Sequence, residues 1–263
     1  HRYETLQQHN HALRAELAAS TASVRRVVEE VDRRRTYLLD TIARRSITPV
    51  YQPIVDLQDG HVVGYEALAR FPGPPHRTAA AWFDDAAELG VAVELERAAI
   101  DVALGGLPKL PSQAFLSVNA SPASVVAGEV LDAVRGVPGE RIVVELTEHT
   151  RVDDHAQVRR AVDELRSHGV RVAIDDVGAG YAGLQWILRL RPDIIKLDLE
   201  LPRGIDSDPI RRALAAALVV FGSESGSRII AEGIETGAEL ATLAGVGVRW
   251  GQGHHLGRPG PLA

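Results

Sequence analysis

From residue 47 onward, short β-rich runs alternate with helical stretches, and each run stays apolar until a polar residue ends it. That alternation constrains the fold more than any other feature. The runs that read as strands cover residues 50–56, 62–69, 114–119, 142–146, 170–175, 193–198, 229–232 and 246–251. Helical patterns lie between most of them, for example over 154–167 and 209–221. Strand alternating with helix predicts a parallel sheet. Eight strands in 263 residues predict an α/β architecture, a closed TIM-like (β/α)8 barrel. Only Gln58-Asp59-Gly60 joins the first two strands, and Asp-Gly is a hairpin signal. The first strand is therefore expected to run antiparallel in an otherwise parallel barrel.

The polar ends of these strands carry the functional argument. Glu66 lies late in the second strand, Asn119 ends the third, and Glu145 stands at the end of the fourth. Asp175 and Asp176 end the fifth, Lys196 the sixth with Asp198 close behind, and Glu232 the seventh; Gln252 follows the eighth. In a barrel these termini meet on one rim, where catalytic groups sit. One acidic residue at a strand end is usually a loop cap. A whole ring of carboxylates with an Asn and a Lys is not, because like charges packed together need something to neutralise them. An all-oxygen donor set favours Mg²⁺, Mn²⁺ or Ca²⁺ over zinc. The adjacent pair Asp175-Asp176 would let one carboxylate bridge two ions while its neighbour binds the second. Two ions about 4 Å apart are the usual device for in-line attack on phosphate esters.

Composition narrows the field. There is no cysteine, which excludes disulfides, zinc–thiolate sites, iron–sulfur clusters and a Cys nucleophile. No apolar run reaches the roughly 18 residues of a membrane helix. There is no methionine either, so we expect a fragment of a longer protein, cytoplasmic itself, with a parent that carries an upstream sensory or regulatory domain and has room for a membrane attachment. The net charge of −6 argues against a nucleic-acid polymer as partner. Residues 1–46 hold nine Arg against six acidic residues, which leaves the body acidic. Lysine is nearly absent, with Lys109 and Lys196 against 27 Arg. A lysine in an arginine-rich background is either chance, which suits Lys109, or a place where a planar fork will not serve, which suits Lys196 inside its strand.

Residues 1–45 read as a helix. Leu6, Leu13 and Val27, with Leu17, Val24, Val31 and Leu38, form two offset series in a seven-residue repeat, interrupted at Asn10, Ser20 and Arg34. Two readings fit: a helix packed on the barrel, or a signalling helix that pairs two chains. The second is our expectation. The chain thus divides into a coiled-coil-like helix over 1–45 and a barrel over 46–263.

The ordered motifs resemble the EAL-domain cyclic di-GMP phosphodiesterases. Gly64-Tyr65-Glu66-Ala67-Leu68-Ala69-Arg70 holds the signature tripeptide, and Gln52-Pro53-Ile54-Val55 is similar to the opening strand. Ser117-Val118-Asn119, Glu145-Leu146-Thr147-Glu148 and Asp175-Asp176-Val177-Gly178-Ala179-Gly180-Tyr181 follow in the family's order. So do Asp193-Ile194-Ile195-Lys196-Leu197-Asp198, Ala231-Glu232-Gly233-Ile234-Glu235 and Gln252-Gly253. The resemblance covers about residues 47–260. It implies metal-dependent hydrolysis of cyclic di-GMP to linear pGpG, with Mg²⁺ or Mn²⁺ as the two cations and Ca²⁺ inhibitory. It assigns Glu66, Asn119, Glu145 and Asp175 to the first cation and Asp175 with Asp176 to the second. Lys196, Glu232 and Gln252 would be the catalytic groups around the attacking water. Gln52, Leu68, Arg70 and Asp198 would contact the dinucleotide, and Glu148 would anchor the loop after the Asp pair. The family also implies a homodimer.

The sequence departs from the family at Val177 and Ala179, where Phe and Thr are usual, and at His254-His255 after Gln-Gly. Val177 offers less apolar surface, so the loop is expected to pack more loosely. The His pair reads as substituted packing. Two other functions stand beside hydrolysis. A catalytically weak EAL domain would serve as a cyclic di-GMP receptor module, and such domains usually lack a carboxylate that is present here. A different metal-dependent barrel would act on another anion, which the Gln52 and Arg70 context disfavours. No cyclase segment of the GGDEF type is present.

Overall fold

The structure is a computed structural model that describes residues 2–71, 73, 77–146, 154–177 and 182–262, with side chains described outside 2–19 and 182–184. A long helix, α1 (Arg2–Ala43), leads into a hairpin of β1 (Thr48–Asp56) and β2 (Val62–Arg70). There follow α2 (Ala79–Glu88), α3 (Ala92–Leu104), β3 (Phe115–Ala120), α4 (Pro122–Val126), α5 (Glu129–Val134) and β4 (Ile142–Leu146). The second half repeats helix and strand: α6 (His155–Ser167), β5 (Arg171–Val177), α7 (Ala182–Leu190), β6 (Ile194–Leu197), α8 (Pro209–Ser225), β7 (Arg228–Ala231), α9 (Gly237–Gly245) and β8 (Trp250–Gly251).

The eight strands close into a barrel in sequence order. β1 is antiparallel to both β2 and β8, and every other neighbouring pair is parallel. Gly60, at φ +77, makes the turn that the short connection required. Helix starts follow their caps: Asp154 accepts from the N–H groups of Ala156 and Gln157 ahead of α6, and Asp208 does the same for α8. The eighth strand is shorter than the sequence suggests. Val246 caps α9 and Gly247 turns at φ +97, so pairing begins only at Trp250.

Side chains alternate across a strand, and this period of two builds the barrel in layers. Ile54, Phe115, Val143, Ala173, Ile194, Ile230 and Trp250 form one apolar cluster that fills the lower interior. Two residues nearer the rim on each strand stand Gln52, Ser117, Glu145, Asp175, Lys196, Glu232 and Gln252. Gly64 leaves room for the Phe115 ring, which a Cβ would meet at 2.5 Å, and two residues on comes Glu66. The polar layer thus sits on an apolar floor.

The C-terminal part of α1 packs on the barrel. Leu38 is 3% exposed in a cluster with Ile47, Trp82, Ala86 and Leu95. Val24, Val27, Val28 and Val31, by contrast, are exposed. Leu6, Leu13 and Leu17 lie outside the described side chains. Among the described residues no helix is long and apolar enough to cross a membrane.

Candidate active site

Lys196 is 1% exposed and lies at the centre of the polar layer. Its Nζ is 2.6 Å from Glu145 Oε2, 2.5 Å from Glu232 Oε1, 3.3 Å from Asp175 Oδ1 and 3.6 Å from Glu66 Oε2. Two side-chain amides hold Glu66. Asn119 Nδ2 donates to Glu66 Oε1 at 2.9 Å, and Gln252 Nε2 donates to Glu66 Oε2 at 2.6 Å and to Gln52 Oε1 at 2.9 Å. Gln52 in turn donates to the Gly257 carbonyl. Ser117, which the strand-end reading missed, donates to Glu145 Oε1 at 2.5 Å. The period of two along β3 points to it, midway between Phe115 and Asn119.

Asp175 and Asp176 pose a problem for a regular strand, where neighbours face opposite ways. The chain solves it with backbone geometry. The pairing of β5 with β6 shifts register between Ile174 and Val177, and Asp176 takes φ +55. Aspartate tolerates that left-handed conformation better than most residues. Carboxylate oxygens of Asp175, Asp176 and Glu232 consequently lie within 4.8 Å of one another.

The electrostatics show a site short of positive charge. Among the described residues Lys196 is the one cation paired with Glu66, Glu145, Asp175 and Glu232. Burial and the neighbouring Glu66 hold the Glu145 carboxyl well above the usual carboxylate range. Burial pushes Glu232 up to about 8 against the pull of Lys196, with Asp175 and Glu66 adding to the rise. Burial opposes the charge on Lys196 as well, yet the carboxylates, Glu145 foremost, outweigh it and raise its pKa well above the ordinary value. The donor set fits hard divalent cations: carboxylates, an Asn amide, and the buried Gln252 Oε1, which has no hydrogen-bond partner.

Of the remaining predicted residues, Leu68 and Arg70 line cavities. One, of about 290 Å³, is lined by Gln52, Glu66, Leu68, Asp175, Lys196, Glu232 and Gln252, and also by Leu199, Arg203, Gly233, Glu235 and His254. The other, of about 240 Å³, is mostly apolar and is lined by Leu68, Arg70, Phe83, Ile100 and Asn119 among others. Leu68 separates them and lines both. Arg70 is exposed, donates to the Ala69 carbonyl and stays on the apolar side, away from the carboxylates. Asp198 is buried just past Lys196 and lines neither cavity. Glu148 and residues 178–181 lie outside the described residues. Val177, at the edge of that loop, packs within the main core.

A sequence profile of the EAL domain matches residues 35–259. The chain belongs to the EAL domain family. MucR of Pseudomonas aeruginosa, a bifunctional diguanylate cyclase/cyclic di-GMP phosphodiesterase, is 28% identical over 236 residues, which is 85% of this chain and 34% of MucR. The structure of the PaMucR phosphodiesterase in complex with c-di-GMP is similar with a TM-score of 0.75 at 29% identity, covering 86% of this chain and 98% of that one. Klebsiella pneumoniae BlrP1, solved with manganese and cyclic di-GMP, matches with a TM-score of 0.70 at 31% identity, over 82% of this chain and 56% of BlrP1. This EAL chain spans about a third of the length of several curated relatives that it matches.

Proposed function

We propose that this EAL barrel hydrolyses cyclic di-GMP to linear pGpG with two divalent cations, Mg²⁺ or Mn²⁺. The observation that carries this reading is the buried layer of Glu66, Glu145, Asp175 and Glu232 around a single lysine. The relatives solved with cyclic di-GMP support the substrate, and the manganese in BlrP1 supports the cation. Glu66, Asn119, Glu145 and Asp175 would hold one cation, and Asp175 with Asp176 the other. When bound, such a pair would supply an acidified water and neutralise charge on the phosphate ester. Lys196 turns an ammonium toward the charge that develops there. Glu232, beside Lys196 and the Asp pair, takes the proton released by the attacking water. Gln252 orients that water through its unpartnered oxygen. Water adds to phosphorus, the bond from phosphorus to the leaving ribose oxygen breaks, that oxygen takes a proton from solvent, and Glu232 returns its own proton to solvent.

Gln52 and Leu68 would contact the dinucleotide directly, and a ligand laid across Leu68 reaches both cavities, bringing Arg70 to its far half. Asp198 would act from behind Lys196. In the same reading the chain is a cytoplasmic module, divided into a helix over 1–45 and a barrel over 46–263, and paired through α1 under an upstream domain. Turnover of cyclic di-GMP with manganese, with and without chelator, tests the proposal. We expect pGpG only with Mg²⁺ or Mn²⁺, and Ca²⁺ should bind and inhibit. Full activity in chelator overturns the two-cation mechanism. Tight binding without turnover makes the chain a receptor.

A further inference from the structure

The Glu145 carboxylate is held at both ends. Its Oε2 accepts from Lys196 Nζ at 2.6 Å and its Oε1 from Ser117 Oγ at 2.5 Å. The lysine belongs to the reacting centre proposed above. The serine does not: it is 0% exposed and lines neither cavity, so no ligand in them reaches it. A buried serine ordinarily gives its proton to a backbone carbonyl, as Ser227 does to Pro192 at 2.7 Å. Ser117 gives it instead to a predicted cation ligand. The register of β3 with β4 sets the approach. Asn119 stands beside Glu145, and Ser117 lies two places further from the rim on the same face. The hydroxyl therefore meets Glu145 from the floor side, while Glu66 and Asp175, its proposed partners on the first cation, open on the cavity.

Which oxygens a carboxylate offers decides which ion it suits. Calcium takes roughly six to eight oxygens and readily accepts both oxygens of one carboxylate. Magnesium demands a near-octahedral shell at about 2.0–2.1 Å, and manganese shares the preference for octahedral oxygen. The narrow bite of a chelating carboxylate does not fit an octahedron, so these ions favour one oxygen from each. A short bond from a buried hydroxyl ties up Oε1. Glu145 is left with Oε2 to offer.

We propose that Ser117 sets the cation preference of the site: by holding Oε1 it keeps Glu145 a one-oxygen ligand, which favours manganese or magnesium over calcium. Ser117 acts through Glu145 and is a positioning residue. The proposal rests on the cations binding among these carboxylates. Calorimetric titration of the 263-residue chain with manganese and with calcium, without nucleotide, tests it. Ser117→Ala removes the hydroxyl alone. Manganese affinity should then fall roughly 10–100-fold, the usual effect of losing a hydrogen bond behind a metal ligand, while calcium affinity holds or rises. The manganese-to-calcium ratio thus falls at least about tenfold. Ser117→Thr keeps a hydroxyl and should keep the ratio; where the added methyl prevents folding, the alanine variant decides alone. A serine that merely fills the floor would lower Tm in the alanine variant and leave the ratio as it was. An unchanged ratio in Ser117→Ala overturns the proposal, whether both cations weaken equally or neither does. A wild type that binds neither cation overturns it together with the two-cation reading. A ratio that falls as expected, in a chain without manganese-dependent turnover of cyclic di-GMP, supports the role of Ser117 and overturns the hydrolysis instead.

Discussion

At Lys196 one ammonium serves four carboxylates inside a closed barrel, with contacts from 2.5 to 3.6 Å. A compact point charge can meet several oxygens arranged around it, whereas a planar fork addresses one carboxylate from one side. Lys196→Arg keeps the charge and loses the geometry. We expect cyclic di-GMP turnover with manganese to fall about 10²-fold or more, because misplacing groups by about 1 Å has that effect. Steady-state kinetics, with circular dichroism to check the fold, reads it; a wild-type rate would remove Lys196 from the reacting centre. Lys196→Met removes the cation and leaves the carboxylates to repel one another. That variant should melt lower than the wild type without metal and should gain more in Tm from manganese, since the ion binds the folded state. An equal gain in both proteins contradicts a shared cation site.

Two elements hold the barrel together in ways that can be tested separately. β1 meets β8 over only two residue pairs, Val55 with Gly251 and Asp56 with Trp250. Asp56 reinforces this seam: its carboxylate accepts from Arg249 Nε at 2.7 Å and from the Gln58 N–H at 3.0 Å. Burial works against the charge on Asp56, but Arg249 and the Gln58 N–H outweigh it and hold the carboxyl below its ordinary value of 3.8. The unfolded chain then binds the proton more readily than the folded one, so stability rises with pH in this range. The contribution is full above about pH 4 and fades as the pH falls through the lower folded value. Asp56→Asn should therefore flatten the acid limb of a urea-unfolding series below pH 4. An acid limb identical to wild type excludes Asp56 from that dependence.

The second such element is the end of α1. Arg34 reaches Asp85 at 2.5 Å and Glu88 at 3.2 Å on α2, while the ring of Trp82 lies 5.5 Å from Tyr37 and stacks at 4.6 Å on Phe71. Leu38 sits beneath this clamp. Leu38→Ala should cost about 2–5 kcal/mol, the range for a buried leucine truncated to alanine. Urea unfolding reads the loss, and a change under 1 kcal/mol would mean that α1 is not part of the folded unit.

Across the whole molecule, α1 changes character along its length. Its last turns belong to the barrel, and the turns before them expose Val24, Val27, Val28 and Val31. An apolar face of this spacing pairs most simply with its own copy about a two-fold axis. Removing residues 1–31 keeps the Leu38 cluster and deletes that face. Light scattering should find a dimer for the 263-residue chain and a monomer for the shortened one. A dimer of unchanged mass after the deletion would give the exposed face another task.

The sequence by itself determined the barrel and the composition of its rim. Both are written in local periods: strand alternating with helix, and side chains alternating along each strand. A polar residue two places beyond an inward apolar one, as in Ala173 to Asp175 or Ile194 to Lys196, must face the same way one layer higher. The hairpin was equally legible, because a connection as short as residues 57–61 permits no crossover. Tertiary structure decided what depends on residues far apart in the chain. Gln252 meets Glu66 across 186 positions, and no local pattern states that contact. The register shift that turns Asp176 beside Asp175 arises between β5 and β6, not within β5. Leu38 continues the heptad series in sequence, but it is buried against the apolar surface of α2 and α3, so its burial assigns it to the barrel. Arg70 shares a strand with Glu66 yet lines the apolar cavity, at the strand's end where an exposed guanidinium can stay in solvent.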